Sequence, residues 1–267
     1  MNISILGCGW LGLALTKNLI SKGHIVKGST TSRDKLPLLT AEGISPYNIQ
    51  LFAEGVQGDI AAFLRDAEVL IIDIPPGLRK DPEVNFVGKI GRLESYIKKS
   101  GLRKVLFISS TSVFEDTEAL PTYTEENPAN GTAENAKQLI GAEELLKASK
   151  AFETSIIRFG GLIGPGRHPV NYLSGKKGLK DPEGPINLIH QEDCIGIIEA
   201  VLEKKAWGET FHGVSPEHPT RKDYYSRIAK EKGLPTLEFD EERASKGKLI
   251  KSVKIDEILG YQFKSMI

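Results

Sequence analysis

The chain has 267 residues, and its 35 lysines and arginines balance 35 aspartates and glutamates, so its formal net charge at pH 7 is zero. With 40% hydrophobic and 26% charged residues, this is the composition of an ordinary globular protein, which excludes disorder, collagen and coiled coil for the whole chain. Zero net charge removes the long-range field that nucleic-acid binders use, so we expect no nucleic-acid partner. The two cysteines, Cys8 and Cys194, match no metal-ligand spacing. We therefore expect free thiols in a reducing cytoplasm and no metal.

The apolar amino terminus is the segment most easily mistaken for a targeting signal. Its apolar run ahead of Cys8 is very short, no basic residue precedes it, and glycines interrupt the apolar residues after Cys8. No other stretch reaches ~18 uninterrupted apolar residues, the length of a spanning helix. The sequence predicts a soluble cytoplasmic protein, a monomer or homodimer, without membrane contact.

Short β-branched runs alternate with amphipathic segments along the first 160 residues. Near-continuous apolar runs are typical of strands buried on both faces. The segments between them are long enough for helical crossovers between parallel strands, except a short one near residues 61–65. The predicted strands are 3–6, 24–29, 45–49, 69–74, 104–109 and 154–159, and the predicted helices include 11–22, 85–100 and 133–149.

The composition of the sequence changes near residue 160. A stretch rich in glycine and proline covers residues 160–185, and helical patterns follow Gln191 and Thr220. We predict an α/β fold with a doubly wound parallel sheet over residues 1–160. A smaller C-terminal α/β lobe, interleaved with the sheet, is predicted over residues 161–267.

The first predicted strand runs directly into a glycine-rich turn, G-C-G-W-L-G. In a Rossmann-type sheet Gly7 permits the tight turn, Gly9 lets the backbone approach a pyrophosphate, and Gly12 lets the helix pack closely on the strand. The helix start, with Trp10 and Leu11, offers backbone N–H groups to phosphates. The turn therefore predicts dinucleotide binding, with Trp10 alternatively a packing residue over the turn.

The second predicted strand ends without the carboxylate that an NAD site normally places on the adenosine ribose. The chain reads S-T-T-S-R there, and Thr31, Ser32 and Arg33 offer two hydroxyls and a guanidinium to a ribose 2′-phosphate. The sequence therefore favours NADP(H) over NAD(H) as cofactor. An exposed arginine at a helix start is the alternative for Arg33.

Four further segments follow one another along the chain, and their order is informative about the family. They are V-L-F-I-S-S-T-S-V-F at 105–114, I-I-R-F-G-G-L-I-G-P-G-R at 156–167, I-N-L-I-H-Q-E-D at 186–193 and D-E-I-L-G-Y-Q-F at 256–263. With the glycine turn, they make the chain similar to the extended short-chain dehydrogenase/reductase superfamily, in its NAD-dependent epimerase/dehydratase branch. The resemblance covers essentially the whole chain. It implies a Rossmann-type, NAD(P)-dependent oxidoreductase or epimerase acting on a small molecule, with nucleotide sugars among the candidates.

The resemblance also implies site residues, each carried over by its position in these segments. Ser110 falls on the family's active-site serine or threonine, with Thr111 as its hydroxyl neighbour. Lys137 falls on the lysine that binds the nicotinamide ribose. Ser109 and Pro75 end strands that line the cofactor. Capping of a strand end is the alternative for the hydroxyl residues.

The chain departs from the resembling family at the position of its catalytic tyrosine, which is Ala133 in A-E-N-A-K. A positioned acid/base contributes about 10² to 10⁴ in rate, roughly 3 to 5 kcal/mol. Tyr123, Tyr172, His168 and His190 are the alternative proton donors to consider. The departure is similar to atypical superfamily members that keep the cofactor fold without the full catalytic set. A non-catalytic dinucleotide sensor that controls a protein partner is therefore the alternative function.

The resemblance places the substrate near the second half of the chain. Arg167 resembles the arginine that relatives use on a nucleotide-sugar phosphate, although it can equally stabilise its loop. Tyr172 is a substrate contact or a rim residue. His190 lies in a segment beside the family's active site, and otherwise holds a strand end and the following helix by hydrogen bonds. The predicted substrate-binding residues are Thr111, Arg167, Tyr172 and His190.

Overall fold

The computed structural model describes residues 1–78 and 81–267. The strands in these ranges are β1 (Asn2–Leu6), β2 (Ile25–Thr30), β3 (Ser45–Asn48), β4 (Gln50–Leu51), β5 (Val56–Gln57), β6 (Val69–Ile72), β7 (Lys104–Ser110), β8 (Thr122–Tyr123), β9 (Glu153–Phe159), β10 (Gly161–Ile163), β11 (Leu188–His190), β12 (Thr210–Gly213) and β13 (Leu249–Ile250). The α-helices are α1 (Trp10–Ser21), α2 (Leu36–Ala41), α3 (Ile60–Leu64), α4 (Phe86–Ser100), α5 (Glu134–Ala148), α6 (Val170–Leu173), α7 (Gln191–Lys204), α8 (Arg221–Glu231) and α9 (Val253–Glu257).

Seven strands form one sheet in the order β12-β9-β7-β6-β1-β2-β3. β1 pairs in parallel with β2, where Ile3 lies opposite Val26, and in parallel with β6, where Ile3 lies opposite Val69. The chain thus crosses over from one side of β1 to the other. Such a switch point opens a crevice at the carboxyl ends of the strands, where ligands bind in doubly wound sheets. The predicted α/β doubly wound sheet is confirmed.

The central strands β1, β6, β7 and β9 are largely buried, as parallel strands covered on both faces require, whereas the edge strand β3 is partly exposed. All four residues of β6, Val69–Ile72, are at most 2% exposed. The six predicted strands of the sheet match the structure to within two residues at each end. β6 ends at Ile72 rather than at residue 74, ahead of Pro75 and Pro76, which have no N–H to give a strand ladder. The edge strand β12 was not predicted.

Helix α4 shows how the sequence specifies its crossovers. Asn85 caps it, because its side-chain oxygen accepts the N–H of Gly88 at 2.7 Å. Gly101 ends it in the left-handed conformation, with φ of +77°. Its buried residues recur at helical spacing, which gives one apolar face: Phe86, Ile90, Leu93 and Ile97.

The chain forms two compact units whose sequence ranges interleave. The first comprises Met1–Ser110, Ala133–Arg158 and Val201–Thr210, and the second comprises Thr111–Thr132, Phe159–Ala200 and Phe211–Ile267. The second unit has its own apolar cluster, which includes Ile163, Val170, Ile186, Leu188, Tyr224 and Tyr225. The division into lobes at residue 160 stays a prediction. Within the described part of the chain, no helix combines the length and apolarity needed to cross a membrane.

Candidate functional site

The glycine turn after β1 is shaped by two glycines that no other residue could replace without strain. Gly7 has φ of +112°, and a Cβ atom there would lie 2.2 Å from the carbonyl oxygen of Asp73. A Cβ atom on Gly12 would lie 2.1 Å from the carbonyl oxygen of Gly7. The turn therefore packs directly on the segment after β6 and on the first turn of α1, as the close approach of strand and helix in a dinucleotide-binding turn requires.

Gly9 differs from the other two glycines because it faces open space. It is exposed, it precedes α1, and a Cβ atom on it would meet nothing within 4 Å. The first turn of α1 contains no acidic residue, so the positive end of the helix dipole stays available to an anion. Trp10 is half-buried and Leu11 is 3% exposed. An open glycine ahead of a twelve-residue helix fits a pyrophosphate.

Hydrogen bonds tie the end of β2 to the glycine turn. The Ser29 hydroxyl accepts the Gly7 N–H at 3.0 Å, and the Ser29 carbonyl accepts the Cys8 N–H at 2.7 Å. The chain then enters a short 3₁₀ turn, Arg33–Lys35, that follows Ser32. Thr31 and Arg33 are exposed, and Ser32 is half-buried. Asp34, which carries a carboxylate, directly follows Arg33 and is also exposed. The predicted phosphate residues thus follow directly from a strand that is fixed to the turn.

Cys8, inside the turn, is a packing residue rather than a reactive thiol. Its side chain is 5% exposed, and its sulfur lies 3.8 Å from the Thr16 hydroxyl. A Cβ atom on Gly28 would come within 2.6 Å of that sulfur. Burial raises the pKa of the Cys8 thiol to about 11, and the nearby Asp73 carboxylate also raises it. The thiolate, which is the nucleophilic form, is therefore disfavoured.

A buried polar cluster joins the end of β7 to α5 and β9. The Glu143 carboxylate accepts the Ser109 hydroxyl at 2.6 Å and the Arg158 Nη2–H at 2.6 Å. Ser109, Glu143 and Arg158 are between 3 and 8% exposed. The prediction missed Glu143 and Arg158. Arg158 has one sequence signal, a charge within the apolar run of β9, whereas Glu143 stands beside a second glutamate in α5 and has none.

Ser110 and Lys137, the predicted catalytic residues, belong to the first unit. Ser110 is the half-buried last residue of β7. Ala133 is the exposed residue just before α5, and its carbonyl accepts the Lys137 N–H at 3.0 Å. Lys137 is exposed. The backbone bond places it in the first turn of α5, one helical turn from the methyl group of Ala133. Pro75, predicted to line the cofactor, is exposed after β6.

The predicted substrate residues all lie in the second unit. Thr111 is buried in a 3₁₀ turn, Thr111–Val113. Arg167 is exposed, and its backbone exchanges hydrogen bonds with Gly164 across a tight turn. Tyr172 is 76% exposed on the short helix α6. His190 ends β11, and its Nδ1 accepts the Glu192 N–H at 3.3 Å.

Tyr123 and His168, two further alternative proton donors, also have structural partners. Tyr123 is 8% exposed, its hydroxyl accepts the Asn130 Nδ2–H at 3.1 Å, and its ring stacks on Phe114. His168 is buried, its Nδ1 accepts the Val170 N–H at 3.1 Å, and its other ring nitrogen lies 3.0 Å from the Tyr224 hydroxyl. Burial lowers the pKa of His168 to about 4, so the ring is neutral at pH 7.

A doubly wound sheet whose first strand runs into a glycine turn of this geometry defines a Rossmann-type fold. No family model matches the sequence. The chain is 31% identical to Protein YeeZ of Escherichia coli (strain K12) over 264 residues, which cover 98% of this chain and 95% of the relative. The chain therefore belongs to the family of Protein YeeZ.

Solved structures with the same fold include nucleotide-sugar enzymes. UDP-glucose 4-epimerase from Thermotoga maritima, with UDP-glucose, has a TM-score of 0.81 at 16% identity and covers 100% of this chain and 94% of its own. UDP-glucuronic acid 4-epimerase from Bacillus cereus, in complex with NAD, has a TM-score of 0.81 at 18% identity and covers 100% of this chain and 92% of its own. At the level of the fold, the resemblance to the epimerase/dehydratase branch is confirmed.

Proposed function

We propose that this protein binds a nicotinamide dinucleotide at the glycine turn and acts as an oxidoreductase or epimerase on a small molecule, with nucleotide sugars as the leading candidates. The glycine turn is the observation that carries the proposal. Gly7 and Gly12 bring the turn onto its neighbours so closely that a Cβ atom on either would clash, whereas Gly9 keeps open space ahead of α1. Similar structures named with NAD and with UDP-glucose support the ligand classes.

We propose NADP(H) rather than NAD(H) as the cofactor, on the basis of three residues after β2. Thr31, Ser32 and Arg33 are the residues we assign to the 2′-phosphate, because a guanidinium and hydroxyls form charge-assisted hydrogen bonds with phosphate oxygens. Asp34 follows them and is also exposed. A carboxylate at that place would serve the ribose hydroxyls of NAD, so Arg33 and Asp34 favour opposite cofactors.

When bound, the nicotinamide supplies hydride chemistry. The chain's own contribution is to hold and orient: Lys137 binds the nicotinamide ribose, and Ser110 donates a hydrogen bond to the reacting oxygen of the substrate. The Ser109 hydroxyl fixes the end of β7 by its hydrogen bond to Glu143. In the second unit, we assign the substrate to Thr111, Arg167, Tyr172 and His190. These roles rest on the resemblance and on the position of each residue.

A second function, dinucleotide sensing without turnover, is favoured by one observation. Position 133, directly before α5, carries a methyl group, which has no proton to exchange with a substrate. For a sensor, the bound cofactor sets the conformation that a protein partner recognises. Turnover of NADPH with any substrate separates the two functions, because a sensor binds the cofactor and leaves it unchanged.

Calorimetric titration with NADPH tests the binding site. Gly9→Val would place a branched side chain where the pyrophosphate lies, and we expect NADPH affinity to fall by at least about tenfold, some 1.4 kcal/mol. Gly55→Val is the matched control, because a Cβ atom on Gly55 also meets nothing within 4 Å. Unchanged NADPH affinity in a folded Gly9→Val protein would refute the proposed site.

A further inference from the structure

The hydrogen bonds around His190 determine which of its ring nitrogens carries the proton. The backbone N–H of Glu192 points at Nδ1 from 3.3 Å, and a backbone N–H can only donate. Nδ1 must therefore be an acceptor. The Ser265 hydroxyl lies 3.1 Å from the same nitrogen, so it too donates to Nδ1. In the neutral imidazole, the proton then resides on Nε2.

Ser265 is held in place by a buried carboxylate at the start of α7. Asp193 is 1% exposed. Its two oxygens accept the Tyr261 hydroxyl at 2.9 Å, the Lys264 N–H at 2.7 Å and the Ser265 N–H at 3.2 Å. Residues 261–267, which we call the C-terminal tail, are thereby fixed to the helix that begins directly after His190.

A glycine in α7 leaves the space that the attachment of the C-terminal tail requires. The Tyr261 ring crosses α7 at Gly196, where a Cβ atom would lie 2.4 Å from the tyrosine hydroxyl oxygen. Burial and the bond to Asp193 raise the pKa of Tyr261, so its hydroxyl remains a donor. Further along, Arg227 donates to the carbonyl oxygen of Ile267 at 3.3 Å. Polar contacts at several points thus fix the backbone that presents the Ser265 hydroxyl.

We propose that Ser265 is a positioning residue that holds His190 in the tautomer protonated on Nε2, so that His190 donates a hydrogen bond to an acceptor oxygen of the substrate. A carbonyl, phosphoryl or hydroxyl oxygen satisfies such a donor, whereas an ammonium group does not. The assignment of substrate to His190 rests on the proposed function. The tautomer follows from the hydrogen bonds alone.

The tautomer is measured directly by long-range ¹H–¹⁵N NMR correlations of the histidine rings in the full chain, with His190→Gln assigning the signal. We expect the Nε2–H pattern in the wild type. Ser265→Ala removes one donor from Nδ1 and should lower the ratio of the Nε2–H to the Nδ1–H tautomer by roughly fivefold. Ser265→Thr, which keeps the hydroxyl, should restore it. Ser226→Ala, an exposed serine in α8, is the matched control.

Addition of UDP-glucose, as a probe rich in acceptor oxygens, then tests the substrate role. We expect the His190 Nε2–H resonance to shift on titration, and Ser265→Ala to weaken UDP-glucose binding severalfold more than Ser226→Ala does. A wild-type His190 protonated on Nδ1, or a Ser265→Ala spectrum identical to wild type, overturns the positioning role whatever the ligand. A confirmed tautomer without any shift by UDP-glucose overturns His190 as a contact for this class of substrate. Neither of these results depends on NADPH binding. The proposal for His190 and the proposal for the cofactor site can therefore fail independently.

Discussion

Arg158 on β9 forms a two-pronged ion pair with Glu143 on α5, with its Nε 3.1 Å from both carboxylate oxygens and its Nη2 2.6 Å from one of them. Both side chains are at most 10% exposed. Taking two charges out of water is costly, and the pair is tolerated because nearly all of the bonding capacity of the carboxylate is used, by the guanidinium and by Ser109. The ion pair fixes α5, the helix that carries Lys137, against β9, and the Ser109–Glu143 hydrogen bond joins the same helix to β7, the strand that carries Ser110.

Breaking this pair should destabilise the protein strongly. Arg158→Met leaves the Glu143 carboxylate buried without its partner, and we expect the free energy of unfolding to fall by about 3–5 kcal/mol in urea titrations. The double variant Glu143→Leu/Arg158→Met removes both charges and should recover a large part of that loss. Lys17→Met, which removes an exposed ion pair with Glu42, should change stability far less. Equal losses in the single and double variants would contradict this account.

Cofactor preference should depend on Arg33 and Asp34 in opposite directions. Arg33→Ala should weaken NADPH binding by about tenfold or more, because a charge-assisted bond to the 2′-phosphate is lost, and leave NADH binding unchanged. Asp34→Asn removes the neighbouring negative charge and should strengthen NADPH binding relative to NADH. Calorimetry with both cofactors measures each arm. Identical affinities for NADPH and NADH in the wild type and both variants would show that this segment does not contact the ribose.

Ala133→Tyr should create or enhance NADPH-dependent turnover if the site otherwise keeps the family geometry. A phenol one helical turn from the Lys137 ammonium would have its pKa lowered by that positive charge, which suits it to proton transfer near neutrality. We would measure NADPH oxidation with aldehydes, ketones and nucleotide 4-keto sugars. A gain of about tenfold, some 1.4 kcal/mol, is the expected result.

Lys137→Met in the Ala133→Tyr background is the control for that gain, which should disappear with the ammonium group. No gain on any of these substrates, with folding and NADPH binding intact, would favour the dinucleotide sensor over the enzyme.

His168 should make the protein less stable as the pH falls. Burial lowers its pKa from 6.5 to about 4, so between these values the unfolded chain binds a proton that the folded chain does not. Stability is therefore undiminished above about pH 6.5 and declines as the pH falls toward 4, by up to roughly 3 kcal/mol at about 1.4 kcal/mol per unit. Urea titrations at several pH values should show a flatter profile for His168→Gln. A profile unchanged from wild type would assign the decline to other groups.

The sequence predicted the sheet well because buried parallel strands leave a strong local pattern. β6 is four apolar residues in a row, and such a run is unambiguous when glycine and helix signals surround it. β12, Thr210–Gly213 at the edge of the sheet, is equally short but reads T-F-H-G, so it has no apolar run by which to identify it. The glycine turn was predicted because its three glycines are close in sequence.

The missed polar contacts are between residues far apart in sequence. Ser109 and Glu143 are 34 positions apart, and His190 and Ser265 are 75 positions apart. No local pattern encodes which buried carboxylate meets which hydroxyl, because those pairs are set by how the elements pack. A charged residue at a core position, such as Arg158, indicates that a partner exists without identifying it.

The cluster of Ser109, Glu143 and Arg158 also limits how this chain can evolve. A single change at position 143 or 158 leaves a buried charge and passes through a protein of low stability, so neutral drift at either position is blocked. Replacement by apolar residues is open only as a joint event. In a library randomised at positions 109, 143 and 158 and selected for folding, the survivors should form two separate groups, one with the charges intact and one with all three positions apolar or small, connected by few intermediates.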